Sequence, residues 1–565
     1  MKPAEFTSLP LSLKRPVSVL AAAALFTVWL VATVAGSTAD PKAGERMYRD
    51  GILPTGAPMP AYIRGDILVD STSFSCASCH MRGGLGSIEG GVTTPPTNGP
   101  KLYNPAYGGT ILKQTKRLNR HQYIIAPSRR PAYTDQTLAA VLRGGVDPAG
   151  KVLDPVMPRY RLDDPDMAAL ISYLKSLSAV FSPGVSETTI RFATVIAGDV
   201  PQAERSAMLA ALKKVELQRN NQSKVYQARS KYMGGFAEEM NLAYRKFEFV
   251  TWELHGPPGT WRAQLEEHYR RNPVFALVGG IAAGEWRPVH DFCEDNRIPA
   301  LFPLTDLPVV SESSWYTLYF SKGYYQEGGT AARFIERSLG IPATSIVQVV
   351  RDDQAGRALS QGFDDAWKEL GQAPVKTVVI GAEQRIDSKE LAGLVSDYSP
   401  ELLLIWDSSA EAVPSLATLT ASNQQLQVMV SSGLLKEKVW GLPETIRPRV
   451  LITWPYRLPT SEDSLARRAP LKMKESVNRS DNSRIASRIQ SLGQVLQLGV
   501  MHMKRNFYRD TLIDVISMIP DQDLPDYERL SFGPGQQYAS KGCYIVQLGP
   551  GARPELIPKS DWVIH

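Results

Sequence analysis

The chain has 565 residues, of which 43% are apolar and 21% charged, an ample supply for globular cores. A formal charge of +6 is small for this length and argues against a nucleic-acid partner. Four cysteines, Cys76, Cys79, Cys293 and Cys543, exclude a disulfide framework, and about 150 residues per domain predicts three or four compact units.

The N-terminus reads as an export signal. Lys14 and Arg15 precede an uncharged apolar run from Pro16 to Ala35, and small residues at 35–39 offer a place for a signal peptidase to cut. The run also reaches the roughly 20 residues that span a bilayer. A cleaved signal and a retained membrane anchor both fit residues 1–39, and either exports the bulk of the chain to the periplasm.

Asp40-Pro41 opens a helix through Tyr48, the aspartate capping it and the proline suiting its first position. Small Gly44 on this helix lets a second helix pass close by. Then comes Cys76-Ala77-Ser78-Cys79-His80, of the form C-x-x-C-H, the attachment signature of a c-type haem. Two thiols three positions apart can each form a thioether to a haem vinyl group, and the adjacent imidazole reaches the iron. A bare C-x-x-C would also fit a zinc site or a thioredoxin-like pair, but no second cysteine pair completes a zinc site. A basic run, Lys113, Lys116, Arg117, Arg120, Arg129 and Arg130, reads either as a docking face for an acidic redox partner or as a solvated loop. A closing helix starts with Asp164 as cap and Pro165 inside it, and buries Met167, Leu170, Ile171, Leu174 and Leu177 on one face.

This segment, 40–181, resembles a class I cytochrome c, which implies an all-α domain with one covalent haem c. Gly99-Pro100-Lys101-Leu102 resembles the family's G-P-x-L segment, so the resemblance makes the Pro100 carbonyl the acceptor that orients His80. Tyr133 to Asp147 resembles the helix and turn ahead of the distal ligand, and Met157-Pro158 matches its M-P segment. Met157 is thereby implied as distal ligand. His121 is the alternative, Met59 a weaker one, and Met81 sits too close to His80 to reach the opposite face. A His/Met pair leaves no open site and implies electron transfer. The 77 positions from His80 to Met157 exceed a small cytochrome c.

Pro183-Gly184 reads as a linker. Strand-like runs follow at 190–196, 247–252, 274–278, 345–350, 375–380, 402–406 and 426–430, separated by helical stretches such as 202–245 and Trp261–Arg271. Strands alternating with helices predict parallel sheets, and the restart of the pattern predicts two lobes. Neither G-x-G-x-x-G nor a P-loop is present. No catalytic constellation is recognisable, and His255, His268, His290 and His502 are scattered.

Residues 187–565 resemble the type I periplasmic binding proteins, the branched-chain amino acid receptor class of ABC importers. The resemblance rests on Phe275 to Gly280, Arg297 to Pro303, Tyr316 to Gly329, Asp353-Gln354-Ala355-Gly356, Val450 to Pro455 and the hairpin 542–562 around Gly549-Pro550-Gly551. It implies an α/β two-lobed fold, lobe 1 at 187–318 and 449–535, lobe 2 at 319–448 and 536–565. The cleft it implies is lined by Ala282, Ala283, Thr305, Asp306, Tyr324, Asp353, Ser408 and Ser432. The family commonly has a hydroxyl in the loop after the third strand to hold a ligand carboxylate; here that loop is Gly280-Ile281-Ala282-Ala283-Gly284. By the resemblance Cys293 and Cys543 fall in different lobes, where a bridge would lock the hinge, so two unpaired thiols are expected. The whole is then a multidomain electron carrier with a redox partner protein and an unknown small-molecule ligand. A solute receptor with the haem as redox reporter and a haem-dependent oxidoreductase are the alternatives.

Overall fold

The computed structural model describes residues 41–564 except 90–91, 109–110, 116–119, 125–127, 231–243, 310–313, 385, 410–411, 424, 459–479, 523, 525 and 534. The expected signal or anchor lies outside the described residues, and among the described residues no helix is long and apolar enough to cross a membrane. The chain divides into two compact units, Met1–Ala179 and Val180–His565.

In the first unit, helices Pro41–Asp50 and Asp164–Ser176 pack together. Gly44 carries the crossing: a Cβ there would lie 2.1 Å from the Ala169 carbonyl oxygen. The cap of the later helix is Asp163, one residue before the expected Asp164, and its carboxylate accepts from the Asp166 amide at 2.8 Å. Asp163 is still extended (φ −67°, ψ 175°), the conformation a cap requires, whereas Asp164 is already helical. Helix Asp135–Gly144 starts in a capping box between Thr134 and Thr137 and ends at left-handed Gly145. Met47, Tyr48, Leu138, Val141, Tyr160, Leu170 and Leu174 form the core beneath these helices.

The domain is not all-α. Strands β1 (Ala61–Ile63) and β2 (Ile67–Val69) pair across a turn in which Arg64 and Gly65 both take positive φ. Short ladders join β3 (Ile88–Glu89) to β4 (Val92–Thr93), β5 (Ala106–Gly108) to β8 (Ser128–Arg130), and β6 (Ile111–Thr115) to β7 (Arg120–Ile124). β9 (Arg159–Tyr160) adds to β1, giving the order β2-β1-β9. The added chain between His80 and Met157 must pair its own backbone groups, and hairpins do so locally.

The second unit holds two sheets. The first comprises parallel β10 (Thr189–Ala197), β11 (Lys246–Leu254), β12 (Ala276–Val278), β13 (Ile281–Ala282), β14 (Ala300–Leu301) and β15 (Thr317–Leu318), in the order β11-β10-β12-β14-β15 with β13 beside β10. Its faces are read directly from the period of two. Ile190, Phe192 and Ile196 face a core with Met208, Leu212 and helix Asp481–Met503, while Ala193, Val195 and Ala197 face Trp261, Leu265 and Phe292. The second sheet runs β17 (Lys376–Ile380), β16 (Ile346–Arg351), β18 (Leu402–Trp406), β19 (Gln427–Ser431), β20 (Val450–Trp454), β21 (Gly542–Leu548), β22 (Leu556–Pro558), with β23 (Val563–Ile564) beside β21. β16 to β20 are parallel and β21 and β22 antiparallel. Leu403 and Ile405 point to one helix layer and Leu402, Leu404 and Trp406 to the other.

One lobe boundary moves. Residues 450–454 were expected in lobe 1, but β20 is fully buried and pairs with β19 in the second sheet. An apolar run buried on both faces needs ladder partners on both sides, which β19 and β21 supply. The chain returns to the first lobe beyond Trp454, and helices Asp481–Met503 and Arg509–Ser517 join its core.

Candidate functional site

Cys76–His80 forms a single helical turn. Cys76 is buried, with Sγ 3.6 Å from the Tyr160 hydroxyl, and Cys79 is exposed; both thiols are free. His80 is buried, and burial pulls its imidazole down to about 4, so the ring is neutral at physiological pH. Its Nδ1 lies 2.7 Å from the Pro95 carbonyl oxygen. A carbonyl only accepts, so Nδ1 carries the proton and Nε2 the lone pair. That Nε2 is buried without a hydrogen-bond partner. A neutral imidazole with one nitrogen anchored and the other an orphaned acceptor is the state a metal-ligating histidine requires, so these residues fit haem iron.

The anchoring carbonyl belongs to Pro95 and corrects the expectation for Pro100. Pro100 opens the short helix Gly99–Leu102, and its carbonyl accepts from Asn104 Nδ2 at 2.9 Å. The choice is made by a hairpin. Gly86 donates to the His80 carbonyl, and Ser87 and Thr94 exchange backbone hydrogen bonds, which delivers Pro95 to the ring. Gly86 has φ +76°, and a Cβ there would meet the Thr94 oxygen at 2.1 Å, so only glycine allows the turn. The G-P-x-L match pointed five residues too far along.

Met157 is half-buried against the domain core, two residues before β9, and its amide donates to the Asp154 carbonyl at 3.0 Å. Met59 is a buried core residue, and Met81 has φ +63° with its carbonyl accepting from the Tyr48 hydroxyl. His121 lies on β7, and its side chain falls outside the described residues. Of the basic run, Lys116 and Arg117 also fall outside, as do the side chains of Lys113, Arg120 and Arg129. Arg130 donates to the Leu102, Lys101 and Pro131 carbonyls and lies over the Tyr133 ring at 4.3 Å, a structural role.

In the second unit a cavity of about 90 Å³ lies between the lobes. Leu304, Asp306, Arg484 and Arg488 line it from the first lobe, Gly433 and Lys436 from the second. Polar contacts that tie the lobes together include Gln354 Nε2 donating to Glu285 and the Asp481 amide donating to Glu437 Oε1 at 2.6 Å. Of the eight residues expected in the cleft, Asp306 alone lines this cavity. Thr305 takes the Leu307 amide at 3.0 Å, and Asp353 caps helix Gln354–Glu369 through the Gly356 amide. Tyr324 is buried, its hydroxyl 3.5 Å from the Gly433 carbonyl oxygen, and Ser432 is buried beside that glycine. Ala283 and Ser408 are exposed, and Ala282 is half-buried in β13.

Arg484 and Arg488 were not anticipated. The signal was present: two arginines four apart on the face of a helix that also buries Ile485, Ile489 and Leu492. Both side chains are 9% exposed. Cys293 lies in the first-lobe core and Cys543 on β21, both buried and free. His290 is buried between the Tyr319 and Ser314 hydroxyls, each 2.9 Å away.

A haem-type C-x-x-C-H turn beside packed helices, joined in sequence to two α/β lobes around a cleft, defines a cytochrome fused to a solute-binding fold. A family model for periplasmic binding proteins matches residues 233–550 and one for cytochrome c matches residues 68–178. The chain belongs to the periplasmic binding protein family and carries a cytochrome c domain, which implies haem c. Among solved structures it is similar to an ABC transporter substrate-binding protein from Sphaerobacter thermophilus, at 14% identity over 66% of this chain and 98% of that one (TM-score 0.49). It is likewise similar to a branched-chain amino acid ABC transporter from Thermus thermophilus with bound valine, at 14% identity over 67% and 97% (TM-score 0.46). A solute-binding protein from R. palustris in complex with benzoate matches at 14% identity over 67% and 98% (TM-score 0.43). No curated protein matches.

Proposed function

We propose that the chain is an exported electron carrier whose second unit binds a small molecule between its lobes. One haem c would be held by the Cys76 and Cys79 sulfurs, His80 and Met157. The haem supplies a one-electron iron couple; the chain's own residues tune and protect it. Pro95 keeps the His80 ring in one tautomer and orientation. Burial of His80 excludes water from the ligand nitrogen. The hydroxyl of Tyr160 beside Cys76 lies on the strand that follows Met157, which ties the Cys76 sulfur to that segment. A partner protein supplies or accepts the electron, and the cleft ligand docks the carrier to that partner or reports a metabolite. Residues 1–39 are the export signal or anchor.

The observation that carries the reading is the buried, partnerless Nε2 of His80 with Nδ1 anchored on Pro95. The test is the optical spectrum of the haem-loaded protein. Low-spin iron with a far-red methionine–iron(III) band, unchanged by CO and lost in Met157→Ala, is the expected result. A wild-type protein that is high-spin or binds CO readily overturns the carrier reading and favours an open-site oxidoreductase.

A further inference from the structure

Between helix Asp135–Gly144 and β9 the chain forms a loop whose ladder pairing is a single bridge, Val146 with Val152. Two acids take up its amides. The Asp147 carboxylate accepts from Ala149 and Lys151, and that of Asp154 accepts from Val156, each at 2.9 Å. Its carbonyls are gathered by Arg159. Nη1 donates to the Met157 carbonyl at 2.5 Å, and Nη2 to those of Leu153 at 3.1 Å and Asp154 at 3.4 Å. The backbone of Arg159 is itself fixed, opposite Tyr62 where β9 pairs with β1. The guanidinium rests against Gly145 at the start of the loop, where a Cβ would lie 1.9 Å from Nε and 2.2 Å from Cζ. One planar fork thus joins both ends of the loop to the sheet, which the point charge of a lysine does not reproduce. A methionine on a free loop must be ordered each time it binds iron, at the cost of backbone freedom; a loop already ordered avoids that cost.

We infer that Arg159 is the positioning residue for the Met157 ligand: its guanidinium holds the loop so that Met157 keeps its place on the haem iron against outside ligands. The inference rests on Met157 being an axial ligand.

The test is titration of the full-length, haem-loaded iron(III) protein with imidazole, followed by loss of the far-red methionine band. In Arg159→Met, imidazole should displace the methionine at a concentration lower by roughly tenfold or more, the worth of one charge-assisted hydrogen bond. Arg159→Lys, which keeps the charge and loses the fork, should fall between that variant and the wild type. Arg161→Met is the control: it removes the same charge from the same stretch of chain, but Arg161 is exposed and lies over the Tyr62 ring at 4.2 Å, so its titration should match the wild type. Far-ultraviolet circular dichroism checks that the variants fold, and where Arg159→Met does not, the lysine variant decides. Arg159 variants that titrate as the wild type does, or an Arg161→Met shift as large as theirs, overturn the inference and leave Met157 as the ligand. A wild type without the band, or one that keeps it in Met157→Ala, overturns both.

Discussion

Glu327 offers a sharp test of the packing between helix and sheet in the second lobe. It lies in the first turn of helix Tyr324–Phe334, wholly buried, and its carboxylate accepts from Ser431 Oγ at 2.8 Å and Thr453 Oγ1 at 2.5 Å. Burial dominates and pushes its pKa from 4.5 to about 7; the two hydroxyls pull it down and nearby Asp306 pushes it up. Between these values the folded chain holds a proton that the unfolded chain has released. Stability therefore falls as pH rises from 4.5 to 7, and the whole cost is present above 7. At 1.36 kcal/mol per unit the cost is about 3 kcal/mol. Glu327→Gln, the uncharged isostere of the protonated form, removes it. The variant should gain about 3 kcal/mol on the wild type between pH 4.5 and 8, measured by denaturant unfolding. Every tryptophan except Trp29 lies in the second unit, so fluorescence reports that unit. Wild-type and variant stabilities that run parallel across this pH range would refute the argument.

Two further outcomes are expected. Gly44→Ala places a methyl 2.1 Å from the Ala169 oxygen and 2.8 Å from Tyr173 Cβ, so the first unit should lose roughly 1–3 kcal/mol or more. Thermal loss of the Soret circular dichroism should come earlier while the tryptophan transition stays in place; an unmoved Soret melt would count against the helix crossing. Cys293 and Cys543, both buried with thiols pushed far up in pKa by burial, should resist alkylation in the native protein and take two adducts after unfolding without reductant. Intact mass reads the count, and no adducts after unfolding would mean a disulfide.

Much of the architecture was legible because it is written at short range. The strand 402–406 and the helix Trp261–Arg271 were placed to the residue, since a five-residue apolar run and an apolar stripe of period 3.6 are local signals. β20 was assigned to the wrong lobe because an apolar strand does not say which sheet edge it joins. The short hairpins of the cytochrome unit were missed because their strands run from two to five residues, too few to show alternation. In the cleft, Asp306 was found by loop position, while Arg484 and Arg488 come from a helix some 180 residues away in sequence.

What the sequence by itself determined was the chemistry carried by adjacent residues: C-x-x-C-H sets two thiols and an imidazole on one turn, and the alternation of strands and helices sets parallel sheets. What only the tertiary structure decided was which distant group meets them. The Pro95 carbonyl reaches His80 through a glycine-turned hairpin, and Arg488 reaches the cavity from a late helix that folds back onto the first sheet. Such partners are selected by chain closure and packing, which depend on every intervening element and leave no mark in the local pattern.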